Sequence, residues 1–407
     1  MEERSRKYLI YLVILMGSIA LLDWYLSTAI AVALPHLLEE YLIKDFEFSM
    51  WEALYLLPTL FIFLLNGLND IIGRKLSILL LILMMGLPSI AIFYFANSFH
   101  LFMIFYAIIN FALVSNMWTI PVEEEAPASS RGKLMGIVYS ISLIPLAPIA
   151  SFIIIPRFGW KGIYAFAFIF MLLIIFGWFF MKETKRYEKI KEERKKGIRK
   201  KHFYGVGIIR KNDFRYIAIG TAIWFCWLAV SFHLKYVGHY LQDIKGYSQN
   251  IFLLVFLIAQ ILCIFAGFLA GWMMDKVGRG KTLAFSCIAV ATLLILIDFS
   301  PGNLVLAIFP ITYFFFMFMY TWIIVYLPEI FPTEIRGSCL GWTTTAARPS
   351  YIIVPLIISG LLRILTDMKF FWTFTALYPL IAFLIVVFTK PYETKKKELE
   401  EIEVERS

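Results

Sequence analysis

The chain has 407 residues, of which 60% are hydrophobic and 16% charged, with a formal net charge of +9. A soluble globular protein carries about 25% charged and about 45–50% apolar residues, so the excess apolar surface calls for a bilayer as its solvent. These figures exclude an ordinary water-soluble enzyme. The positive charge does not point to nucleic acid either, because most of it falls in one central segment.

The N-terminus carries Arg4, Arg6 and Lys7 ahead of an apolar run from Tyr8 to beyond Ile30. Ala31-Val32-Ala33 looks like a small-residue cleavage site, but a signal peptide has an apolar stretch of only ~7–15 residues. The run therefore reads as an uncleaved first membrane helix. A helix crosses ~30 Å of hydrocarbon with ~20 residues. Stretches of that length are predicted near 8–34, 51–69, 76–96, 100–121, 134–156 and 162–181, then near 216–238, 250–274, 282–300, 303–327, 339–362 and 370–389. Their prolines are tolerable in membrane helices, where neighbours satisfy freed carbonyls.

The expected fold is an all-α membrane protein of twelve transmembrane helices in two pseudo-symmetric six-helix bundles. Residues 1–181 form the N-terminal bundle, 182–215 a cytoplasmic basic linker, 216–390 the C-terminal bundle and 391–407 a cytoplasmic charged tail. With the N-terminus in the cytoplasm, the cytoplasmic segments hold 30 of the 38 Lys and Arg residues. Such a bias places both termini in the cytoplasm of a multi-pass cell-membrane protein. The linker has fourteen basic against five acidic residues and is expected to lie solvated along the cytoplasmic face, near anionic headgroups.

Metal and cofactor chemistry finds no foothold. Cys226, Cys263, Cys287 and Cys339 sit in or beside apolar segments without a C-x-x-C pair, as small buried hydrophobes do. The five histidines (His36, His100, His202, His233 and His239) show no ligand spacing. There is no phosphate-cradling glycine loop and no nucleophile elbow. No enzyme, cofactor or metal is expected.

The two halves repeat. Asp70 and Asp275, Gly73 and Gly278, and Arg74 and Arg279 each stand 205 residues apart. The same offset relates Glu124 to Glu329, Pro127 to Pro332, Arg131 to Arg336, Gly132 to Gly337 and Gly136 to Gly341. Parallel six-helix repeats are a transporter architecture, with the substrate site expected between them near the midplane.

On these residues the chain resembles the major facilitator superfamily. Asn66-Gly67-Leu68-Asn69-Asp70-Ile71-Ile72-Gly73-Arg74 and Gly271-Trp272-Met273-Met274-Asp275-Lys276-Val277-Gly278-Arg279 both look like its G-x-x-x-D-(R/K)-x-G-R loop. The first copy departs at Asn66 and Ile71. Pro328-Glu329-Ile330-Phe331-Pro332-Thr333-Glu334-Ile335-Arg336-Gly337 resembles the E-x-x-P-x-x-x-R-G loop of the sugar-porter-like branch, as Glu124 to Gly132 does more weakly. Lys182-Glu183-Thr184-Lys185 and Pro391-Tyr392-Glu393-Thr394-Lys395 resemble the P-E-T-K that follows spans 6 and 12 there. Span 10 lacks the G-P-x-x-W of true sugar porters, and span 7 has no glutamine. The wording, with an arginine in span 11, is more similar to relatives that carry organic acids, aromatic acids or organic ions and to metabolite:proton symporters.

The loop charges suggest a cytoplasmic gate made of Asp70, Gly73, Arg74, Glu124, Arg131, Asp275, Gly278, Arg279, Glu329 and Arg336. Opposite charges at helix ends can latch in one conformation and release in the other, with a coupling of ~1–3 kcal/mol. The plainer alternative is a set of static surface pairs worth ~0–1 kcal/mol. Two ionisable residues lie deep. Asp23 stands roughly 22 Å into span 1 and Arg348 roughly 16 Å into span 11. Each costs ~2.5–3.5 kcal/mol at mid-bilayer unless paired or hydrated. Asp23 is a candidate proton carrier and Arg348 a candidate fork for a substrate carboxylate; the alternative is that they pair with each other or with a helix end. The family resemblance implies that spans 1, 4, 7 and 10 line the cavity. Those spans offer Trp24, Ser27, Asn110, Asn116, Trp118, Thr119, Trp224, Trp227, His233, Tyr320 and Trp322.

The function expected is secondary active transport by alternating access: proton-coupled symport of a small organic anion or similar metabolite. A proton-antiport exporter of drugs or organic cations, a sugar porter and a non-transporting sensor or scaffold stay open as alternatives. The partners expected are a small-molecule substrate, protons and the lipid bilayer, with no nucleic acid, on a monomer.

Overall fold

The computed structural model describes residues 4–115, 117–127, 131–196, 211–331, 336–365, 367–395 and 405. The described residues contain helices, turns and no strand. Twelve helical segments are long and apolar enough to cross a membrane: Arg6–Tyr41, Asp45–Asn66, Arg74–Phe95, Phe99–Glu125, Leu134–Phe158 and Lys161–Trp178, then Asp213–Ile244, Gln249–Val277, Arg279–Phe299, Leu304–Ile330, Cys339–Ile364 and Phe371–Thr389. Numbered in that order they are spans 1 to 12. Helix is the form such segments take in hydrocarbon, because it satisfies every backbone group within the segment.

Some spans run past their sequence-expected ends. Span 1 is capped by Ser5, whose hydroxyl accepts from the Tyr8 amide at 3.3 Å, and it continues through Pro35 to a left-handed Leu42. Span 7 continues beyond Leu234 into a π-helical turn over Tyr240–Ile244. Apolarity marks the hydrocarbon part of a helix and not its whole length, so both extensions escape a hydropathy reading.

Two compact units emerge: Met1–Ile43 with Leu54–Lys201, and Lys44–Ala53 with His202–Ser407. Against the simple division at 182–215, the first ten residues around the start of span 2 pack with the second unit. Within the first unit, span 1 packs on spans 5 and 6, and span 3 on spans 4 and 6. Within the second, span 7 packs on spans 11 and 12, and span 9 on spans 10 and 12. Adding six to each number of the first set generates the second, so the internal repeat of sequence is also a repeat of packing.

Several spans are broken. Span 4 runs helically from Phe99 to Leu113, then through a tight 3-10 turn at Met117–Thr119 into Ile120–Glu125. Span 5 breaks between Ser142 and Leu146, and span 11 between Ala347 and Ser350. Each break carries a proline at or near it (Pro121, Pro145 and Pro349), which lacks the amide a helix needs and clashes with the preceding turn. The breaks in spans 5 and 11 start at Leu143 and Arg348, which stand the familiar 205 residues apart. Discontinuous helices at membrane depth are tolerated where protein or a water-filled cavity covers their freed groups.

Spans 2 and 3 meet at Gly73, and spans 8 and 9 at Gly278, with φ of +97° and +117°. A Cβ at Gly278 would sit 2.7 Å from a Glu393 carboxylate oxygen, whereas one at Gly341 would meet nothing within 4 Å. Gly278→Ala is therefore expected to destabilise the protein by about 1–3 kcal/mol, read as a lower melting temperature in detergent. Gly341→Ala, inside a helix, should leave the melting temperature unchanged or raised. Equal melting temperatures for the two variants would contradict this account of the turn.

Candidate functional site

Each unit carries the same polar knot where its second and third spans meet. In the first unit the Arg74 side chain, only 6% exposed, reaches Glu124 through Nε at 3.1 Å and Nη2 at 2.8 Å. Its Nη1 donates to the Asn69 carbonyl at 2.9 Å, and its guanidinium lies over the Tyr187 ring at 5.0 Å. Glu183 accepts from the Arg74 backbone amide at 3.0 Å, capping span 3 with a carboxylate. The Thr184 hydroxyl donates to Glu124 at 2.6 Å.

The second unit repeats these hydrogen bonds. Arg279, 7% exposed, donates to Glu329 through Nε at 3.2 Å and Nη2 at 3.0 Å, and to the Met274 carbonyl at 2.9 Å. Glu393 accepts from the Arg279 amide at 3.0 Å, and Thr394 donates to Glu329 at 2.6 Å. Forked, charge-assisted bonds of this kind are the strong ones. Asp275, four residues before Arg279, also pairs with it at 2.7 Å but is 71% exposed. The less exposed partner is Glu329, fifty residues away and 26% exposed. The side chains of Asp70, Arg131 and Arg336 lie outside the described residues. The residues that sequence reasoning left without a role are Glu183, Thr184, Glu393 and Thr394. Their signal was the repeated Glu-Thr-Lys after spans 6 and 12.

At membrane depth in the first unit, Asp23 is half-buried and its Oδ2 accepts from the Trp118 indole at 3.2 Å. Trp118, 5% exposed, sits in the turn that interrupts span 4, and its ring meets Tyr139 of span 5 edge-on at 5.4 Å. The break in span 4 thus positions the donor that holds the carboxylate. Pro121, which starts the next helical piece, was the signal for it. Trp24 and Thr119 are half-buried near this group in sequence, and Ser27 is exposed. Asn110 is buried and donates to the Tyr106 carbonyl of its own helix at 2.9 Å, so its amide N–H is used within span 4. Asn116 lies outside the described residues.

In the second unit, Arg348 is 4% exposed and occupies the break in span 11. Its guanidinium lies 5.5 Å from the centre of the Tyr351 ring, which in turn meets Phe232 of span 7 edge-on at 5.1 Å. Five residues before Phe232, Trp227 stacks on Phe316 at 5.1 Å with the rings 4° from parallel, and on Tyr320 at 4.9 Å. The Trp227 indole N–H is buried and lacks a hydrogen-bond partner among the described residues. Gln260 of span 8, 2% exposed, keeps both ends of its amide unpartnered among the described residues. It shares a helix face with Phe256 and Cys263, both of which pack on Tyr313 of span 10. A buried amide with nothing to bond costs stability and asks for a ligand or an ordered water. A lone glutamine in an apolar run carries no periodic signal, which is why sequence reading passed over it.

Other expected cavity residues of the second unit pack on aromatic neighbours. Trp322 is fully buried and stacks on Tyr326 at 4.4 Å, whose hydroxyl donates to the Tyr392 carbonyl. His233 is fully buried, bonded through Nδ1 to Ala229 and packed on Phe371 and Tyr378 of span 12. Both stand in the packing of their unit. Trp224 is half-buried.

The family model described as Major Facilitator Superfamily matches residues 13–355. The chain is 24% identical over 448 aligned positions to the "Probable metabolite transport protein CsbC" of Bacillus subtilis (strain 168), covering 99% of this chain and 95% of that protein. It is 25% identical to the "Cis,cis-muconate transport protein" of Acinetobacter baylyi, covering 58% of this chain and 59% of that one. Its fold matches the inward open xylose transporter XylE from E. coli with a TM-score of 0.77 at 18% identity, covering 98% and 99% of the two chains.

Glu329→Gln leaves Arg279 in place but removes the charge that its fork grips. Loss of about 1.5–3 kcal/mol is expected, seen as a lower melting temperature in detergent. An unchanged melting temperature would mean that the knot adds nothing to the fold.

Proposed function

The chain belongs to the Major Facilitator Superfamily and is a multi-pass membrane transporter; from that premise we propose that it carries a small organic anion by proton-coupled symport, through alternating access. The observation that carries this reading is Arg348, a guanidinium buried at a helix break beside the Tyr351 ring. Its planar fork matches a carboxylate better than an ammonium would. The stacked rings of Trp227, Phe316 and Tyr320 suit the flat apolar part of such a solute. Gln260 and the Trp227 indole add polar atoms that a solute could bond. The name of the muconate relative, a protein that transports an unsaturated dicarboxylate, supports the same substrate class.

In this reading Asp23 takes the proton, and the Trp118 N–H orients its ionised form. The polar knots around Arg74 and Arg279 serve as cytoplasmic gate elements, each bracing one unit. Both termini lie in the cytoplasm, on the side to which the 30 of 38 basic residues are assigned. A second reading, export of an organic cation by proton antiport, draws on Asp23 as the cation's partner.

Asp23→Asn is expected to abolish proton-driven accumulation in proteoliposomes while leaving counterflow exchange intact. If both survive, Asp23 is structural. Arg348→Lys should weaken binding of the carboxylate substrate about tenfold or more, equivalent to about 1.4 kcal/mol. Unchanged affinity in a scintillation proximity assay would remove Arg348 from the site.

A further inference from the structure

Span 8 turns its large side chains outward. Leu254, Ile258, Ile261, Phe265, Phe268 and Trp272 recur at alternating steps of four and three residues, so they line one face of the helix, and all of them are exposed. The small residues Ala259, Ala266 and Ala270 are buried, and span 8 packs on span 10. Large residues outside and small ones inside reverse the order of a helix in water and suit a helix that faces acyl chains. Lys276, four residues beyond Trp272, ends this stripe in the last turn of the helix and is exposed. Its ammonium lies 4.3 Å from the centre of the Trp272 ring, and no hydrogen bond or ion pair engages it among the described residues. A second ammonium joins it: Lys395, after span 12, donates through Nζ to the Lys276 carbonyl at 2.6 Å. The carboxylates beside the two lysines are engaged elsewhere. Asp275 pairs with Arg279 at 2.7 Å, and Glu393 accepts from the backbone amides of Arg279 at 3.0 Å, Gly280 at 3.4 Å and Lys395 at 3.1 Å.

We propose that Lys276 and Lys395, with the Trp272 ring, bind the headgroup of an anionic phospholipid whose acyl chains lie along the exposed stripe of span 8. An indole near the end of a span stands at headgroup depth, where such rings concentrate. A lysine ammonium is a compact charge that suits a phosphate, and basic residues beside a span draw anionic lipid toward it. A zwitterionic headgroup would need a free carboxylate for its own cation, and Asp275 and Glu393 are both occupied. A second copy of the chain on the same face would bring two such lysine pairs together, like charge against like. The site belongs to one half of the molecule. Gly67 and Ile71 stand 205 residues before Trp272 and Lys276, so the first half has neither the ring nor the charge at the equivalent place.

Native mass spectrometry of the full-length protein tests this, because it reads bound lipid and subunit number together. The protein is held in detergent micelles with equal amounts of phosphatidylglycerol and phosphatidylcholine of matched acyl chains. The first lipid retained is expected to be phosphatidylglycerol, favoured at least about fivefold. Lys276→Gln with Lys395→Gln should bring the ratio of the two lipids close to one. Lys276→Arg keeps the charge and should keep the preference, which separates loss of charge from loss of packing. Lys281→Gln removes an exposed lysine from the first turn of span 9 and should also keep the parent ratio. A ratio near one in the parent overturns the proposal, as does a double variant that retains the parent ratio. A fall in Lys281→Gln as large as in the double variant would reduce the effect to overall surface charge and overturn it too. Inorganic phosphate should leave the lipid in place; displacement would mean a site for a free anion. A dimer without retained lipid would mean that a second copy covers the stripe. Either result contradicts the lipid assignment.

Discussion

Hydrocarbon offers no hydrogen bonds, and most of what is distinctive in this protein follows from that constraint. Every amide, hydroxyl and charge placed in the spans must find a partner in the chain itself or in something the chain binds. Helices meet the demand for the backbone. Where a helix breaks, as in spans 4, 5 and 11, or where a charge is buried, as at Arg348 and Glu52, the demand becomes local and specific. The serines of the spans illustrate the ordinary solution, with Ser77, Ser89, Ser151 and Ser350 each bonding a carbonyl one turn back. Gln260 departs from it, with both ends of its amide unpartnered among the described residues.

The two knots around Arg74 and Arg279 show how one solution serves two halves. In each, a positive-φ glycine turns the chain so that the following arginine can point back under its own loop. A glutamate from the end of span 4 or span 10 fills the fork, and a Glu-Thr pair after span 6 or span 12 supplies both a helix cap and a hydroxyl. The knots thus tie the last residues of each six-helix unit to its third and fourth spans. Their bonds are internal to each unit, so the rigidity they confer belongs to each bundle separately. The two halves also differ at equivalent positions. Leu143 in the first half stands where Arg348 stands in the second, at equivalent breaks.

Fold and family were legible because their signals are collective. Twelve apolar runs, the Lys and Arg asymmetry and a repeat at one offset each draw on dozens of residues, and the family match across residues 13–355 agrees with them. The site was legible only in part. Asp23 and Arg348 stood out because a charge in an apolar run is conspicuous. Which aromatics pack together was not, since Trp227, Trp322 and His233 look alike in a helical run and only the structure gives their neighbours. The arginine forks were legible only in part, because sequence shows the i,i+4 spacing that the Arg279–Asp275 pair keeps and hides a partner fifty residues on. The early start of span 2 at Asp45 was hidden by its charges, which end an apolar run without ending the helix.

The central claim is that entry of an organic anion is bound to entry of a proton. Proteoliposomes holding a pH-sensitive dye, with no gradient imposed, test it directly when a carboxylate substrate is added outside. The account predicts acidification of the lumen that keeps pace with uptake of the labelled solute and disappears in the Asp23→Asn variant. Uptake of the solute with no change in internal pH would contradict it.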